Sequence, residues 1–307
     1  MRALVTGGAG FIGAALAAAL LARGDEVVAL DDLSAGDATR VPVGAALVIA
    51  DIRDGDALAD ACSSIDVVFH HAAVKSVPRS MNEPVLVHDV NAGGTLNVLR
   101  AAERAGVKRV IYASSSSIYG GSDGSPSYED DPPNPMSPYA VSKLAGEYYC
   151  RVWSSLRKVP TVTLRYFNVF GPGQPADSQY AAVFPAFISA LQRDEQPVIY
   201  GDGEQTRDFT FISDIVHANL LAADADALVD GAVINTAGGD PRSVNDVFRS
   251  VSQVLESLIS PHHEPERLGD VRHSLADPTR ANELLGWKPE ARWEDAVAAT
   301  VEWFRTR

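Results

Sequence analysis

The sequence predicts an α/β protein in two parts, a doubly wound parallel sheet and a smaller α/β domain. Three observations lead there. Up to Arg165 the chain alternates short β-branched runs with helical stretches, the rhythm of a parallel sheet covered on both faces. The first strand passes into the first helix through glycines at 7, 10 and 13, a spacing suited to a tight turn. After Arg165 the rhythm breaks into a turn-rich passage, Tyr166-Phe167-Asn168-Val169-Phe170-Gly171-Pro172-Gly173-Gln174.

In order along the chain, residues 3–5 form the first strand, and the Ala- and Leu-rich stretch behind Gly13 is a helix that stops near Gly24, a suitable left-handed cap. The glycines permit a tight turn, close approach of backbone to a pyrophosphate and close packing of helix on strand, with the helix N-terminus facing the phosphates. Gly7, Gly10, Phe11, Ile12 and Gly13 are therefore candidate cofactor contacts. Residues 26–30 form the second strand and deliver Asp31, 18 residues after Gly13. A carboxylate there accepts both adenosine ribose hydroxyls and repels a 2′-phosphate, which favours NAD over NADP; Asp32 strengthens the preference. The third strand, 46–50, leads to Asp51 and Ile52, placed for the adenine amine and ring face. The fourth, 66–70, ends in His71-Ala72-Ala73-Val74-Lys75. Ala72 and Ala73 are small enough to admit a dinucleotide, and Lys75 can reach its ribose or phosphate. His70 and His71 do not read as a metal pair: strand neighbours point to opposite faces, and no cysteine or carboxylate stands at ligand spacing.

A helix over 88–105, closed by Gly106, sets Asn91 towards the cofactor. The fifth strand, 109–113, runs into Ser114-Ser115-Ser116-Ser117 at its carboxyl end, where open parallel sheets bind ligands. A loop rich in Gly, Ser, Asp and Pro, 120–138, then enters Ser137-Pro138-Tyr139-Ala140-Val141-Ser142-Lys143. A serine cap with proline behind it starts a helix, so Tyr139 and Lys143 lie four apart on one face. A tyrosine hydroxyl has a pKa of about 10, but a nearby ammonium, helped by a positively charged cofactor ring, favours the phenolate and makes a base. Residues 161–165 are a sixth strand, 181–192 a helix of the smaller domain, and 232–235 a strand returning to the sheet. The dinucleotide-binding part thus comprises residues 1–166 plus about 209–238, and the smaller part about 167–208 plus 239–307.

A chain of 307 residues, 46% apolar and 21% charged, suits one large domain plus a smaller one. Its net charge of −14 argues against nucleic acid or an anionic membrane as partner, and an anionic substrate needs local arginines. Two cysteines without paired spacing, Cys62 and Cys150, suit a reducing cytoplasm. The apolar run 14–22 falls short of the roughly 20 residues that span a bilayer.

Together these residues resemble the extended short-chain dehydrogenase/reductase family, most closely its UDP-glucose/UDP-galactose and UDP-N-acetylglucosamine 4-epimerases. Five ordered motifs carry the resemblance: Thr-Gly-Gly-Ala-Gly-Phe-Ile-Gly at 6–13, Ala-Ser-Ser-Ser-Ser-Ile-Tyr-Gly at 113–120, Ser-Pro-Tyr-Ala-Val-Ser-Lys at 137–143, Arg-Tyr-Phe-Asn-Val-Phe-Gly at 165–171 and Arg-Leu-Gly-Asp-Val-Arg-His-Ser at 267–274. The resemblance implies a Rossmann sheet holding NAD and a smaller domain holding a UDP-sugar. It implies that Tyr139 takes the proton of the sugar 4-hydroxyl, Ser115 bridges it, and Lys143 holds the cofactor ribose and lowers the tyrosine pKa. It places Asn168 near the diphosphate, Arg207 and Arg267 on phosphates, Asp270 on the uridine ribose and Tyr200 or a neighbour beside the uracil. It also implies a homodimer formed by the helices near 88–105 and 139–157.

Departures narrow the chemistry. Relatives that dehydrate the sugar carry an acidic pair after the catalytic Ser or Thr, and decarboxylating ones keep a glutamate; here Ser116 and Ser117 stand in those places. Epimerisation remains. A small residue at 274 leaves room for an acetamido group, which Gln174 can hydrogen-bond, so UDP-N-acetylhexosamines join UDP-glucose and UDP-galactose. The hydroxyls of Ser115, Ser116 and Ser117 also resemble UDP-glucuronate 4-epimerases, whose arginine after the Gly-Pro turn is missing from 173–176. Uronates are the second reading. A cofactor-releasing dehydrogenase or ketoreductase and an idle NAD-binding sensor are the remaining alternatives.

Overall fold

The computed structural model describes residues 1–157, 159–175, 182–266 and 271–306. Strand β1 (Arg2–Thr6) runs into α1 (Phe11–Ala22), followed by β2 (Glu26–Asp31), β3 (Ala46–Ile49), α2 (Gly55–Ala61) and β4 (Val67–His70). Helices α3 (Val77–Asn82) and α4 (Pro84–His88) lead through a π-wound turn, Asp89–Gly93, into α5 (Gly94–Ala105). Next come β5 (Arg109–Ser115), α6 (Pro138–Val152) and β6 (Thr161–Tyr166). The remainder supplies β7 (Asn168–Phe170), α7 (Val183–Gln192), β8 (Val198–Tyr200), β9 (Thr206–Phe211), α8 (Ile212–Asp224), β10 (Val233–Thr236), β11 (Pro241–Ser243), α9 (Val244–Leu255), β12 (His262–Glu264), β13 (His273–Ser274), α10 (Thr279–Leu285) and α11 (Trp293–Arg305).

Seven strands form one parallel sheet in the order β10-β6-β5-β4-β1-β2-β3, as the alternation of strands and helices predicts. Alternation along each strand feeds both faces. Ala3 and Val5 pack with Leu16, Phe69, Ile111 and Ile215 beneath α1 and α8, while Leu4 packs with Leu30, Leu58, Val68 and Leu99 beneath α2 and α5. The strand order reverses between β4 and β1, and a crevice opens at their carboxyl ends.

Two elements differ from the sequence expectation in ways that matter for the site. β5 runs on past Ala113, because Ser114 and Ser115 pair with Arg165 and Tyr166 of β6; the first two serines are ladder residues, held by the sheet. The helix expected from 88 begins at Pro84, and its π-wound turn carries Asn91 inward.

In the second sheet β9 pairs antiparallel with β11 and parallel with β13 and β7, and β8 pairs with β12 beside it. Phe170, Phe184, Phe187, Val247, Val251 and Val297 form its core, with Phe170 stacked on Phe184 at 4.3 Å.

Candidate active site

The crevice begins at the turn after β1. Gly7 is left-handed at φ 71°, and a Cβ there would lie 2.8 Å from the Ala72 nitrogen of the turn after β4. A Cβ on Gly13 would lie 2.1 Å from the Gly7 carbonyl, so only glycine lets α1 pack this closely on the turn. Gly10 caps α1 with no side chain over the helix end and no acid in its first turn, which leaves N–H groups of Phe11, Ile12 and Gly13 directed at an anion. Asp31 is buried at the end of β2, where Oδ2 accepts from Ala9 N at 3.0 Å and Oδ1 from Leu33 N at 2.9 Å. Asp32 faces outward and accepts from Ser34.

Other residues expected near a cofactor are more engaged than the sequence suggests. Asp51 is gripped by Arg53, with Nη2 2.6 Å from Oδ2, and this hydrogen bond holds its carboxyl below the usual range. Ile52 is buried against Gly94 of α5. Asn91, 1% exposed, accepts from Val74 N at 2.8 Å and donates to Val74 O at 3.1 Å and Ser142 Oγ at 3.0 Å. It clamps the turn after β4 to α6. Ala72 N donates to Thr6 Oγ1, and Ala73 follows it at the crevice floor. Lys75 makes no hydrogen bond or ion pair among the described residues, and burial together with the Arg40 charge pushes its ammonium below the usual lysine range.

At the carboxyl end of β5 the chemistry-bearing groups converge. Ser137 caps α6 by accepting from Ala140 N, and Pro138 occupies the first turn. Tyr139 lies beside Ser115; burial pushes its hydroxyl above the usual tyrosine range, against the lowering that Ser115 gives. Ser115 Oγ also accepts from Ser117 N at 3.2 Å. Lys143 Nζ donates to the Ala113 carbonyl at 2.8 Å and lies 5.1 Å from the centre of the Tyr112 ring. Burial brings its pKa down to about 8. The Lys143 ammonium is held by Ala113, and burial is the larger influence on the Tyr139 hydroxyl. Ser116 and Ser117 open a short helical turn, and Ser117 Oγ is buried without a partner among the described residues.

Across the crevice a cleft of about 400 Å³ is lined by Asn168, Gln174, Phe184, Gln205, Arg207 and Phe209, among others. Asn168 Nδ2 donates to Asp208 O at 3.3 Å. Gln174 is buried, donating from Nε2 to Val169 O at 3.1 Å while its Oε1 has no partner among the described residues. Ser274 stands opposite Arg207 in the β13–β9 register. Tyr200 lies on β8, and its carbonyl accepts from Gln205 Nε2 at 2.8 Å. Arg267 and Asp270 lie outside the described residues.

The model of the NAD dependent epimerase/dehydratase family matches residues 3–237. The chain belongs to this family. It is 39% identical over 315 residues to a UDP-glucose 4-epimerase of Mycolicibacterium smegmatis, covering 100% of this chain and 99% of that protein. Among solved structures it is similar to the UDP-N-acetylglucosamine 4-epimerase of Methanobrevibacter ruminantium in complex with UDP-N-acetylmuramic acid (TM-score 0.95, 39% identity, 99% of this chain and 98% of that one). It is also similar to the UDP-glucuronic acid 4-epimerase of Bacillus cereus with UDP-glucuronic acid and NAD (TM-score 0.92, 31% identity, 100% and 99%).

The crevice of this epimerase/dehydratase family member fits a dinucleotide on its own geometry. Gly7 and Gly13 let the turn and α1 pack closer than any Cβ would allow, the α1 N-terminus is uncapped, and a buried carboxylate closes β2. Three residues passed over in the sequence complete the site. Glu147 and Arg165 form a buried pair under the serines. Glu147 was within reach of the helix argument, four residues beyond Lys143 on the same face. Arg40 Nη1 donates to Gly173 O at 2.7 Å, linking the segment after β2 to the turn after β7. No local pattern marks it.

Proposed function

We propose that this protein is an NAD-dependent 4-epimerase of UDP-hexoses, UDP-glucose and UDP-galactose first and the UDP-N-acetylhexosamines with them, acting through a 4-keto sugar. The observation that carries the reading is the convergence of Ser115, Tyr139 and Lys143 at the end of β5, followed by serines instead of the acids that elimination needs. In this reading Tyr139 takes the proton of the sugar 4-hydroxyl and later returns it. Ser115 orients that hydroxyl and Tyr139 by hydrogen bonding to both. Lys143 supplies positive charge from a fixed position. Bound NAD supplies a reversible hydride acceptor, so that C4 can become a ketone and be reduced again. Gly7, Gly10, Phe11, Ile12, Gly13, Asp31 and Lys75 are the residues that hold the dinucleotide.

Inversion requires the keto sugar to turn while its UDP stays anchored. Asn168 and Arg207, at the cleft across the crevice, support that anchoring, and an arginine offsets the repulsion of an acidic chain for a diphosphate. The small side chain of Ser274 beside Arg207 supports acceptance of an acetamido group. One observation favours a second reading, UDP-glucuronate. Ser117 Oγ is a buried hydroxyl next to Ser115 with no partner among the described residues, a donor that a sugar carboxylate can use.

The outward face of α6 carries Val141, Tyr148 and Val152, at spacings of seven and four, beside Met81 and Val85 of α3 and α4; these five are 41–72% exposed. Such a stripe supports a homodimer packed helix on helix. No helix among the described residues is long and apolar enough to cross a membrane, and the buried free cysteines suit a cytoplasmic enzyme. The test is NMR of products formed without added NAD from UDP-glucose, UDP-galactose, UDP-N-acetylglucosamine and UDP-glucuronate. Conversion to a 4-epimer establishes the reaction and its substrate. No conversion of any, even with NAD supplied, overturns the reading.

A further inference from the structure

We propose that Glu147 is a positioning residue for the Ser115, Tyr139 and Lys143 set, acting through Ser114 and through the negative charge it places behind Lys143. The inference rests on the reading that Tyr139 and Lys143 carry the proton transfer. Its geometry is a set of contacts between one strand and one helix. Three consecutive β5 residues face three α6 residues spaced four apart: Ala113 accepts from Lys143, Ser114 donates to Glu147, and Ser115 adjoins Tyr139. The Ser114–Glu147 hydrogen bond joins β5 to α6 one turn beyond the Lys143 contact, and so holds the strand against the helix on the side away from Tyr139.

Glu147 is 4% exposed, and burying a carboxylate is costly unless it is paired and hydrogen-bonded. Arg165 provides the pairing as a fork, with Nε 3.0 Å from Oε1 and Nη2 2.8 Å from Oε2. The same guanidinium donates to Tyr119 Oη at 2.7 Å, and Tyr119 ends the turn begun by Ser116, so Arg165 braces both sides of the serine run. Tyr119 in turn donates to Asn235 Oδ1 at 2.7 Å, which carries the brace to β10.

The second part concerns charge. The groups that face Lys143 are Tyr112 of β5, His70 and His71 at the end of β4, and Tyr139, Glu147 and Cys150 of α6. Burial holds both histidines neutral near pH 7 and pushes the Tyr112 hydroxyl and the Cys150 thiol up, so these stay uncharged as well. Glu147 is then the one anion among them. It favours the lysine cation against the burial that disfavours it. An ion pair serving the fold alone could be replaced by apolar groups of similar volume. A carboxylate that both accepts from Ser114 and faces Lys143 could not.

The experiment compares holoenzyme variants by kcat and KM for the UDP-sugar against pH, per folded NAD-loaded enzyme. Glu147→Gln keeps the shape and removes the charge. We expect kcat to fall about tenfold with KM nearly unchanged, and the alkaline limb of the profile to move about one pH unit lower, as a smaller opposing charge on Lys143 requires. Glu147→Asp restores the limb. Ser114→Ala removes the strand–helix hydrogen bond and leaves the charge, so kcat falls and the limb stays. If Glu147→Gln unfolds around the orphaned arginine, Glu147→Gln/Arg165→Met removes both charges and carries the same expected shift. A Ser114→Ala enzyme with wild-type kcat, or a charge-neutral variant with an unmoved limb, overturns the positioning role while wild-type turnover leaves the functional reading intact. A wild-type protein without turnover on any UDP-sugar overturns both.

Discussion

Lys143 Nζ lies 2.8 Å from the carbonyl of Ala113, two residues before Ser115 on the same strand. One strand–helix contact therefore delivers both the cation and the hydroxyl, while Tyr139 enters from the preceding helical turn. Because Ser115 is a ladder residue paired with Tyr166, this contact is held from the sheet side as well. The reacting groups are pre-organised by backbone as much as by side chains.

Tyr139→Phe removes one oxygen from a half-buried ring. With the hydroxyl as the acid–base group, kcat should fall by about 10²–10⁴-fold, while NAD content after denaturation and UDP affinity by calorimetry stay at wild-type values. Turnover within a few-fold of wild type would falsify the assignment.

The pH profile follows from Lys143. A lysine is a cation below its pKa and neutral above it, and burial brings this one to about 8. The free-enzyme profile of kcat/KM should thus decline on the alkaline side with a midpoint near that value. Lys143→Arg keeps its charge to beyond about pH 12. Whatever its absolute rate, its alkaline limb near 8 should disappear; a limb that persists would assign the ionisation to another group.

Ser274→Tyr places a ring next to Arg207 in the β13–β9 register. If Ser274 borders the sugar, kcat/KM for UDP-N-acetylglucosamine should drop at least about tenfold relative to UDP-glucose, the scale on which pockets reject added bulk. Equal losses on both substrates would show that the residue lies elsewhere.

Tyr148→Glu sets a charge in the exposed stripe of α6. Light scattering at micromolar protein should report a shift from dimer to monomer, with the melting temperature lowered by a few degrees through lost association. A wild-type protein already monomeric would remove the dimer from the picture.

Much of the fold was legible because its signals are local. Glycine spacing after β1, the acid at the end of β2, and the Ser-Pro start of α6 with Tyr139 and Lys143 four apart are relations within one or two turns of chain. Backbone sterics and helix pitch decide such relations wherever the segment sits. The alternation of strands and helices likewise implied the parallel sheet, since parallel neighbours need crossovers.

Relations between distant segments were decided by packing. Asn91 satisfies Val74 and Ser142, because a buried amide must spend its donors and acceptor. Lys143 is fixed by the Ala113 carbonyl, a partner that β5 presents and its own helix does not. Arg40 meets Gly173 across 133 residues, and Glu147 meets Arg165 only because β6 lies beside β5. By itself the sequence determined the sheet, the dinucleotide turn and the helical phase of Tyr139 and Lys143. Only the tertiary structure decided which hydrogen bonds those side chains complete, since a buried polar group takes the partner that the neighbouring element presents.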